Sequence, residues 1–115
     1  MADDLRPRAP TLYARDFYAW SQLQARAITA AGARGDLPSE LDWERLAEEV
    51  GDLGESELRS ATSLTSRILG HLVLLRTSRN AAPRNHWRKE ARTFRSDLAD
   101  MLTPSLRNLL EEQLE

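Results

Sequence analysis

The stretch LDWERLAEEVGDLGESELRS, residues 41–60, decides how the chain folds, because two glycines interrupt what otherwise has the pattern of one amphipathic helix. On a helical wheel at about 100° per residue, the apolar residues from here onward fall within about 40° of one line. They are Trp43, Ala47, Val50, Gly54, Ala61, Leu64, Ile68, Leu72 and Leu75. Because the line continues across Gly51 and Gly54, we predict one long helix over about residues 42–77. Each interior glycine costs about 1 kcal/mol relative to alanine, so a kink at these positions belongs to the expectation.

Capping signals place the other helices. Asp16 is the expected N-cap of a helix that ends near Gly32. Pro83 suits the first turn of a further helix, and Thr103 followed by Pro104 marks the start of a short last one. No stretch of any length alternates in the manner of a strand. The sequence therefore predicts an all-α fold, a bundle of four to five helices around the long central one.

Residues 1–10 are expected to form a flexible tail and residues 11–115 a single helical-bundle domain. The segment after Ile68 is apolar nearly all round, so we expect it to be the most buried part of the chain. The expected core stripe of the first long helix is Phe17, Trp20, Leu23, Ala27, Ile28 and Ala31. The three tryptophans lie on such stripes and are expected to pack in the core: Trp20, Trp43 and Trp87.

The composition excludes several kinds of chemistry. The 115 residues are enough for one domain, and 41% hydrophobic with 30% charged residues is typical of a soluble globular protein. Without cysteine there can be no disulfide, thiolate nucleophile or cysteine-held metal. The first ten residues lack the apolar centre of a signal peptide, and no apolar run could span a bilayer. We therefore expect a cytoplasmic protein without a membrane segment.

Charge is distributed unevenly although the net charge is only −2. An acidic zone holds nine acids against Arg45 alone: Asp36, Glu40, Asp42, Glu44, Glu48, Glu49, Asp52, Glu55 and Glu57. A basic zone holds seven bases against Glu90 alone: Arg76, Arg79, Arg84, Arg88, Lys89, Arg92 and Arg95. Either the two zones attract each other, within one chain or across a dimer, or the basic zone binds an anionic partner.

Four acids lie opposite the apolar line of the long helix and are expected to form a solvated acidic face: Glu44, Glu48, Asp52 and Glu55. Glu48 and Asp52 are four residues apart, a spacing that would suit Mg²⁺, Mn²⁺ or Ca²⁺. In a continuous helix, however, His71 lies roughly 28 Å from Asp52. Metal-binding bundles also use glutamates that point into the core. We therefore predict no metal site.

Three other polar residues are singled out by their positions. Glu57 falls on the apolar line, so it is expected to be buried and to need a partner such as an arginine or a tryptophan N–H. His71 lies at the edge of the most apolar segment and is expected to be a hydrogen-bonded core histidine. His86 is expected to be exposed near a helix start, and we assign no acid to it.

Four stretches form a recognisable series: DFYAWSQLQA, LDWERLAEEVGDLGESE, the histidine within ILGHLVLLR, and WRKEARTFRSDLADMLTPSLRNLLEEQL. In this order they resemble the bacterial domain-of-unknown-function family 29, from about Thr11 to the end of the chain. The resemblance implies an all-helical fold. It implies no catalytic residue, because the family has no established activity. Members often carry a lysine–tryptophan pair soon after the histidine, where this chain has Leu75 and Arg76.

These observations favour a small, non-enzymatic helical module that binds protein, with self-association as one form of this. The alternative is a nucleic-acid-associated regulator that uses the basic face over residues 76–95. A metal-dependent enzyme built on Glu48 and Asp52 ranks last. We predict no catalytic residue and no cofactor.

Overall fold

The computed structural model describes residues 11–79 and 81–114, with the side chains of residues 81 and 82 left out. These residues form α-helices and no strand, which confirms the predicted all-α fold. The helices are α1 (Leu12–Arg15), α2 (Phe17–Ala33), α3 (Trp43–Thr77), α4 (Ala81–Met101) and α5 (Pro104–Leu114). The predicted flexible tail, residues 1–10, lies outside the described residues.

The central helix α3 is continuous over 35 residues and runs through both glycines, as the unbroken apolar line predicted. It is about 52 Å long at about 1.5 Å per residue. The Asp42 side chain caps its start by accepting a hydrogen bond from the Arg45 amide at 3.3 Å. Both glycines face α2. Gln22 donates to the Gly51 carbonyl at 3.1 Å, and a Cβ on Gly54 would lie 1.9 Å from Ser21 Oγ.

The first half of α3 packs antiparallel to α2. Near the start of α2, the Tyr18 hydroxyl donates to Glu55 at 3.2 Å. Near its end, the Trp43 ring lies so close to Gly32 that a Cβ there would be 2.1 Å from the ring. The second half of α3 packs against α4 instead, through contacts such as the T-shaped pair of His71 and Phe94. Each half of α3 thus has its own partner helix.

The last helix, α5, packs where the two halves of α3 meet. Ala61 of α3 and Leu106 of α5 are both fully buried, and Leu110 is 6% exposed. Half-buried apolar side chains surround this cluster: Tyr18, Leu58, Leu98, Met101 and Leu102. Asp16, the N-cap of α2, accepts from the Ser105 amide at 2.9 Å and so ties the start of α5 to the start of α2.

The prediction that the end of α3 is the most buried segment is wrong. Leu69, Leu72 and Val73 are 46%, 48% and 60% exposed, and Leu74 is 40% exposed. These side chains are apolar, but α5 covers α3 only as far as about Thr65. Helix α4 packs against a different side of α3. The described chain therefore leaves this segment open.

The predicted core face of α2 is also wrong. The residues of α2 that meet α3 are small or polar, namely Ser21, Gln22, Ala25 and Gly32. The predicted stripe lies on another side, where Leu23 is 45% exposed and Phe17 stacks on Trp20 with ring centroids 5.7 Å apart. The three tryptophans are likewise only half-buried. Small residues let the two helices approach closely, and that closeness decided the packing face.

The molecule is elongated, because the two halves of the 35-residue helix α3 pack against different helices. Its radius of gyration is 20.3 Å and its extents are 64 × 39 × 25 Å. A compact domain of this length has a radius of gyration of about 13 Å. In the described part of the chain, no helix combines the length and apolar character that a membrane span requires.

Candidate interaction surface

Two apolar patches lie on α3 without a cover from the described chain. The terminal patch consists of Leu69, Leu72 and Val73, on the side of α3 that α2 and α5 cover earlier along the helix. The leading patch consists of Leu46 and Leu53, which are 43% and 56% exposed. The leading patch lies on the side that α4 covers in the second half of α3. Each half of α3 therefore has an exposed apolar patch on one side, and that same side is covered by another helix in the other half.

The two charged zones lie at opposite ends of the molecule. Glu44, Glu48 and Asp52 are exposed on the first half of α3. Glu90 contacts His71, so the neighbouring Lys89 lies level with about residue 72 of α3. The zone centres are then about 24 residues apart along α3, or about 36 Å. In the described part of the chain no ion pair joins the zones. Attraction between the zones therefore does not hold the single chain together.

Two members of the predicted charged surfaces have other roles. Glu55 is half-buried and accepts the hydrogen bond from Tyr18, so it belongs to the α2–α3 contact rather than to the solvated acidic face. Arg84 donates to the carbonyls of Leu75 and Ser78, the latter at 2.9 Å, and thereby satisfies the C-terminal end of α3. The other six bases of the basic zone are exposed: Arg76, Arg79, Arg88, Lys89, Arg92 and Arg95.

A hydrogen-bonded cluster of His71, Glu90 and His86 joins α3 to α4. His71 Nε2 lies 2.5 Å from one oxygen of Glu90, and His86 Nε2 lies 3.0 Å from the other. His71 Nδ1 lies 2.8 Å from the Arg67 carbonyl, which can only accept. Both ring nitrogens of His71 therefore face acceptors, an arrangement that favours the doubly protonated imidazolium.

The pKa values of this cluster move in the matching directions. The hydrogen bonds to Glu90 and to the Arg67 carbonyl raise the pKa of His71 above its ordinary 6.5. The hydrogen bond from His71 and the nearby His86 lower the pKa of Glu90 below its ordinary 4.5. The cluster is thus a charge-assisted clamp between two helices.

Glu57 does not have the partner that its position on the apolar line led us to expect. Its Oε2 atom is shielded from solvent and makes no hydrogen bond within the described residues. Burial, and then the charge of Asp16, raise the pKa of Glu57. Asp16 is only 6% exposed, but hydrogen bonds from Ala19, Ser105 and Thr103 outweigh its burial and lower its pKa. Two neighbouring carboxyl groups are thus driven toward opposite protonation states.

Glu48 and Asp52, the two acids whose spacing would suit a metal ion, lie on the first half of α3, away from His71. Because α3 is continuous, Asp52 and His71 remain about 28 Å apart. Within the described residues, no three His, Asp or Glu side chains are arranged so that they could hold a metal ion. A groove of about 510 Å³ between α2 and α3 is lined largely by alanines, with Arg26, Glu44 and Glu48 among its polar residues.

Comparison with known proteins fits this helical architecture. Residues 12–115 match the profile of the family described as domain of unknown function DUF29. This chain belongs to DUF29. The family predicted from the four sequence stretches is thereby confirmed, and no curated protein matches this DUF29 chain.

The DUF29 chain is similar to a crystal structure of an alpha-helical protein of unknown function from Rhodospirillum rubrum. The two share 38% sequence identity and superimpose with a TM-score of 0.75. The similarity covers 86% of the DUF29 chain and 63% of the Rhodospirillum chain. The long-helix architecture therefore recurs in a solved relative, which is the longer of the two.

Sequence reasoning missed the role of Glu90 in this DUF29 chain. Glu90 was counted only as the one acid among seven bases. Its spacing of four from His86 was a visible signal, since residues four apart on a helix are neighbours. The contact with His71 had no such signal, because it depends on the position of α4 along α3, which the sequence does not show.

Proposed function

We propose that this DUF29 chain is a non-enzymatic helical module that associates with a second copy of itself through the terminal patch. The observation that carries this proposal is the exposure of Leu69, Leu72 and Val73 on a segment more apolar than any other in the chain. Contiguous exposed apolar patches are uncommon on monomers and mark association sites. A cytoplasmic location is part of the proposal and is supported by the absence of cysteine.

The exposed surface of the chain is large enough for such an interface. The chain exposes 8818 Å². A compact protein of 13.0 kDa exposes about 6,300 Å². A standard interface takes only about 800 Å² from each partner, well below this difference.

Sedimentation equilibrium over a range of protein concentrations tests the proposal. The unaltered chain should approach twice 13.0 kDa at micromolar concentration. Leu72→Lys should stay near 13.0 kDa, because a charge would have to be buried in the patch. The matched control is Ser66→Lys, which adds the same charge at an exposed polar position of the same helix.

Circular dichroism should show the same helix content in both variants, since Leu72 is 48% exposed. A mass of 13.0 kDa for the unaltered chain at all concentrations would refute self-association. Equal dimerisation by Leu72→Lys would place the interface elsewhere.

A second candidate function is nucleic-acid binding by the basic zone. It is favoured by four exposed bases on α4 that pair with no acid in the described part of the chain: Arg88, Lys89, Arg92 and Arg95. Binding of generic DNA or RNA should then fall steeply with salt and disappear when Arg88, Lys89 and Arg92 become glutamine. Absence of binding at low ionic strength would reject this candidate.

A further inference from the structure

We infer that the two copies pair antiparallel, with the acidic zone of each copy against the basic zone of the other. This inference rests on the proposed self-association and adds the orientation of the partner. It is carried by the separation of the two oppositely charged zones along α3.

Neither charged zone is neutralised by the other in the single chain. Asp36 pairs with Arg34 and Asp42 with Arg45 at the start of the acidic zone. Four exposed acids of the zone have no ion pair in the described part of the chain: Glu44, Glu48, Glu49 and Asp52. The basic zone exposes six bases. The centres of the two zones lie about 36 Å apart, several times the Debye length of about 8 Å at physiological salt. Each zone therefore keeps its own field, and neither stabilises the other within the chain.

The orientation of a dimer decides the sign of the interaction between zones. A parallel pair would place acid against acid and base against base, which is repulsive at both ends. A two-fold antiparallel pair makes the same contact twice, since patch i meets patch j and patch j meets patch i. Both contacts then join opposite charges.

The orientation also determines which part of each copy lies against the other. Setting Glu48 level with Lys89 of a second copy places the two-fold axis near Ser60. The half of α3 that carries the acidic zone then lies along the half of the second copy that carries the basic zone. The leading patch lies on a different side of α3 from the terminal patch, so it takes no part in this contact.

Charge reversal tests the orientation. The acid-reversed variant carries Glu48→Lys, Glu49→Lys and Asp52→Lys, and the base-reversed variant carries Arg88→Glu, Lys89→Glu and Arg92→Glu. All six positions are exposed, and circular dichroism checks that helix content is kept. At low ionic strength each variant alone should dimerise at least about tenfold more weakly than the unaltered chain.

Mixing the two variants supplies the rescue. A heterodimer keeps one native contact, between the basic zone of the acid-reversed chain and the acidic zone of the base-reversed chain. Native mass spectrometry should therefore show the heterodimer above its statistical share of one half. A statistical mixture, or single variants that dimerise as well as or better than the unaltered chain, would overturn the antiparallel orientation while self-association stands. A monomeric unaltered chain would overturn both.

Discussion

Replacing Gly54 with alanine is expected to destabilise the protein, although alanine is the better helix former. A Cβ at this position would lie 1.9 Å from Ser21 Oγ and 3.1 Å from Ser21 Cβ. Ser21 is fully buried, and its hydroxyl donates to the Tyr18 carbonyl at 2.8 Å. Relief of the clash therefore requires either that this hydrogen bond break or that α2 move away from α3.

The magnitude follows from opposing contributions. Alanine in place of glycine gains about 1 kcal/mol of helix propensity. Overpacking costs about 1–3 kcal/mol, and loss of the Ser21 hydrogen bond costs about 0.5–1.5 kcal/mol. The net result is a loss of about 0.5–3.5 kcal/mol. For 115 residues this corresponds to a fall in Tm of about 2–14 °C.

Two other glycines of α3 serve as matched controls. A Cβ on Gly70 meets nothing within 4 Å, and one on Gly51 meets Ala25 Cβ at an ordinary 3.6 Å. Gly70→Ala should therefore raise the unfolding free energy by about 1 kcal/mol, and Gly51→Ala should not lower it. Urea unfolding followed by circular dichroism, at one protein concentration for all variants, measures these differences.

Adding Ser21→Gly to Gly54→Ala should recover part of the lost unfolding free energy, because removing the Ser21 side chain leaves room for the new methyl group on α3. A Gly54→Ala variant as stable as Gly70→Ala would refute the packing argument.

Three further predictions concern the buried groups. Glu57→Gln should raise the unfolding free energy at pH 8 but not at pH 4, because a raised pKa means that ionising this carboxyl opposes folding; an equal gain at both pH values would contradict this. The ion pair of His71 and Glu90 should contribute its full stabilisation of the folded protein between about pH 4.5 and 6.5. This contribution should be lost as the pH rises through the raised pKa of His71, and also as the pH falls through the lowered pKa of Glu90. Glu90→Gln should therefore reduce the difference in Tm between pH 6 and pH 8.5, and an unchanged difference would assign it to other groups. Leu106→Ala should cost about 2–5 kcal/mol in urea unfolding because Leu106 is fully buried; Leu114→Ala, at a 62% exposed position, is the control.

The path of α3 could be predicted from the sequence because a helix keeps one angular step per residue. A true break at Gly51 and Gly54 would have shifted the apolar line, and the line does not shift. Two caps were predictable for a similar reason, since Asp16 and Thr103 each accept a local hydrogen bond from an amide three residues on.

The packing face of α2 could not be predicted in this way. Hydrophobic periodicity identifies a helix face by its large apolar side chains. The contact with α3 instead uses Ser21, Ala25 and Gly32, which are small enough to let the two helices approach closely. The outcome for Glu57 was missed for a related reason. Its neighbour Asp16 is 41 residues away in sequence and is brought close only by the α2–α3 contact.

The exposure of the terminal patch lies beyond sequence pattern altogether. An apolar segment predicts burial, but it does not tell whether residues of the same chain or of another provide the cover. Here α5 is too short to reach Leu69 and Leu72, and α4 lies on another side of α3.

The length of α3 also bears on the order in which the chain folds. The α2–α3 and α3–α4 pairs each join helices that are neighbours in sequence, so their contacts close short loops and can form early. The bond from the Ser105 amide to Asp16 spans 89 residues and carries a much larger loop-closure entropy. Before this bond forms, the two hairpins share one helix but no common core. Slow hydrogen exchange at the Ser105 amide would therefore mark the point at which two independently formed hairpins become one cooperative unit.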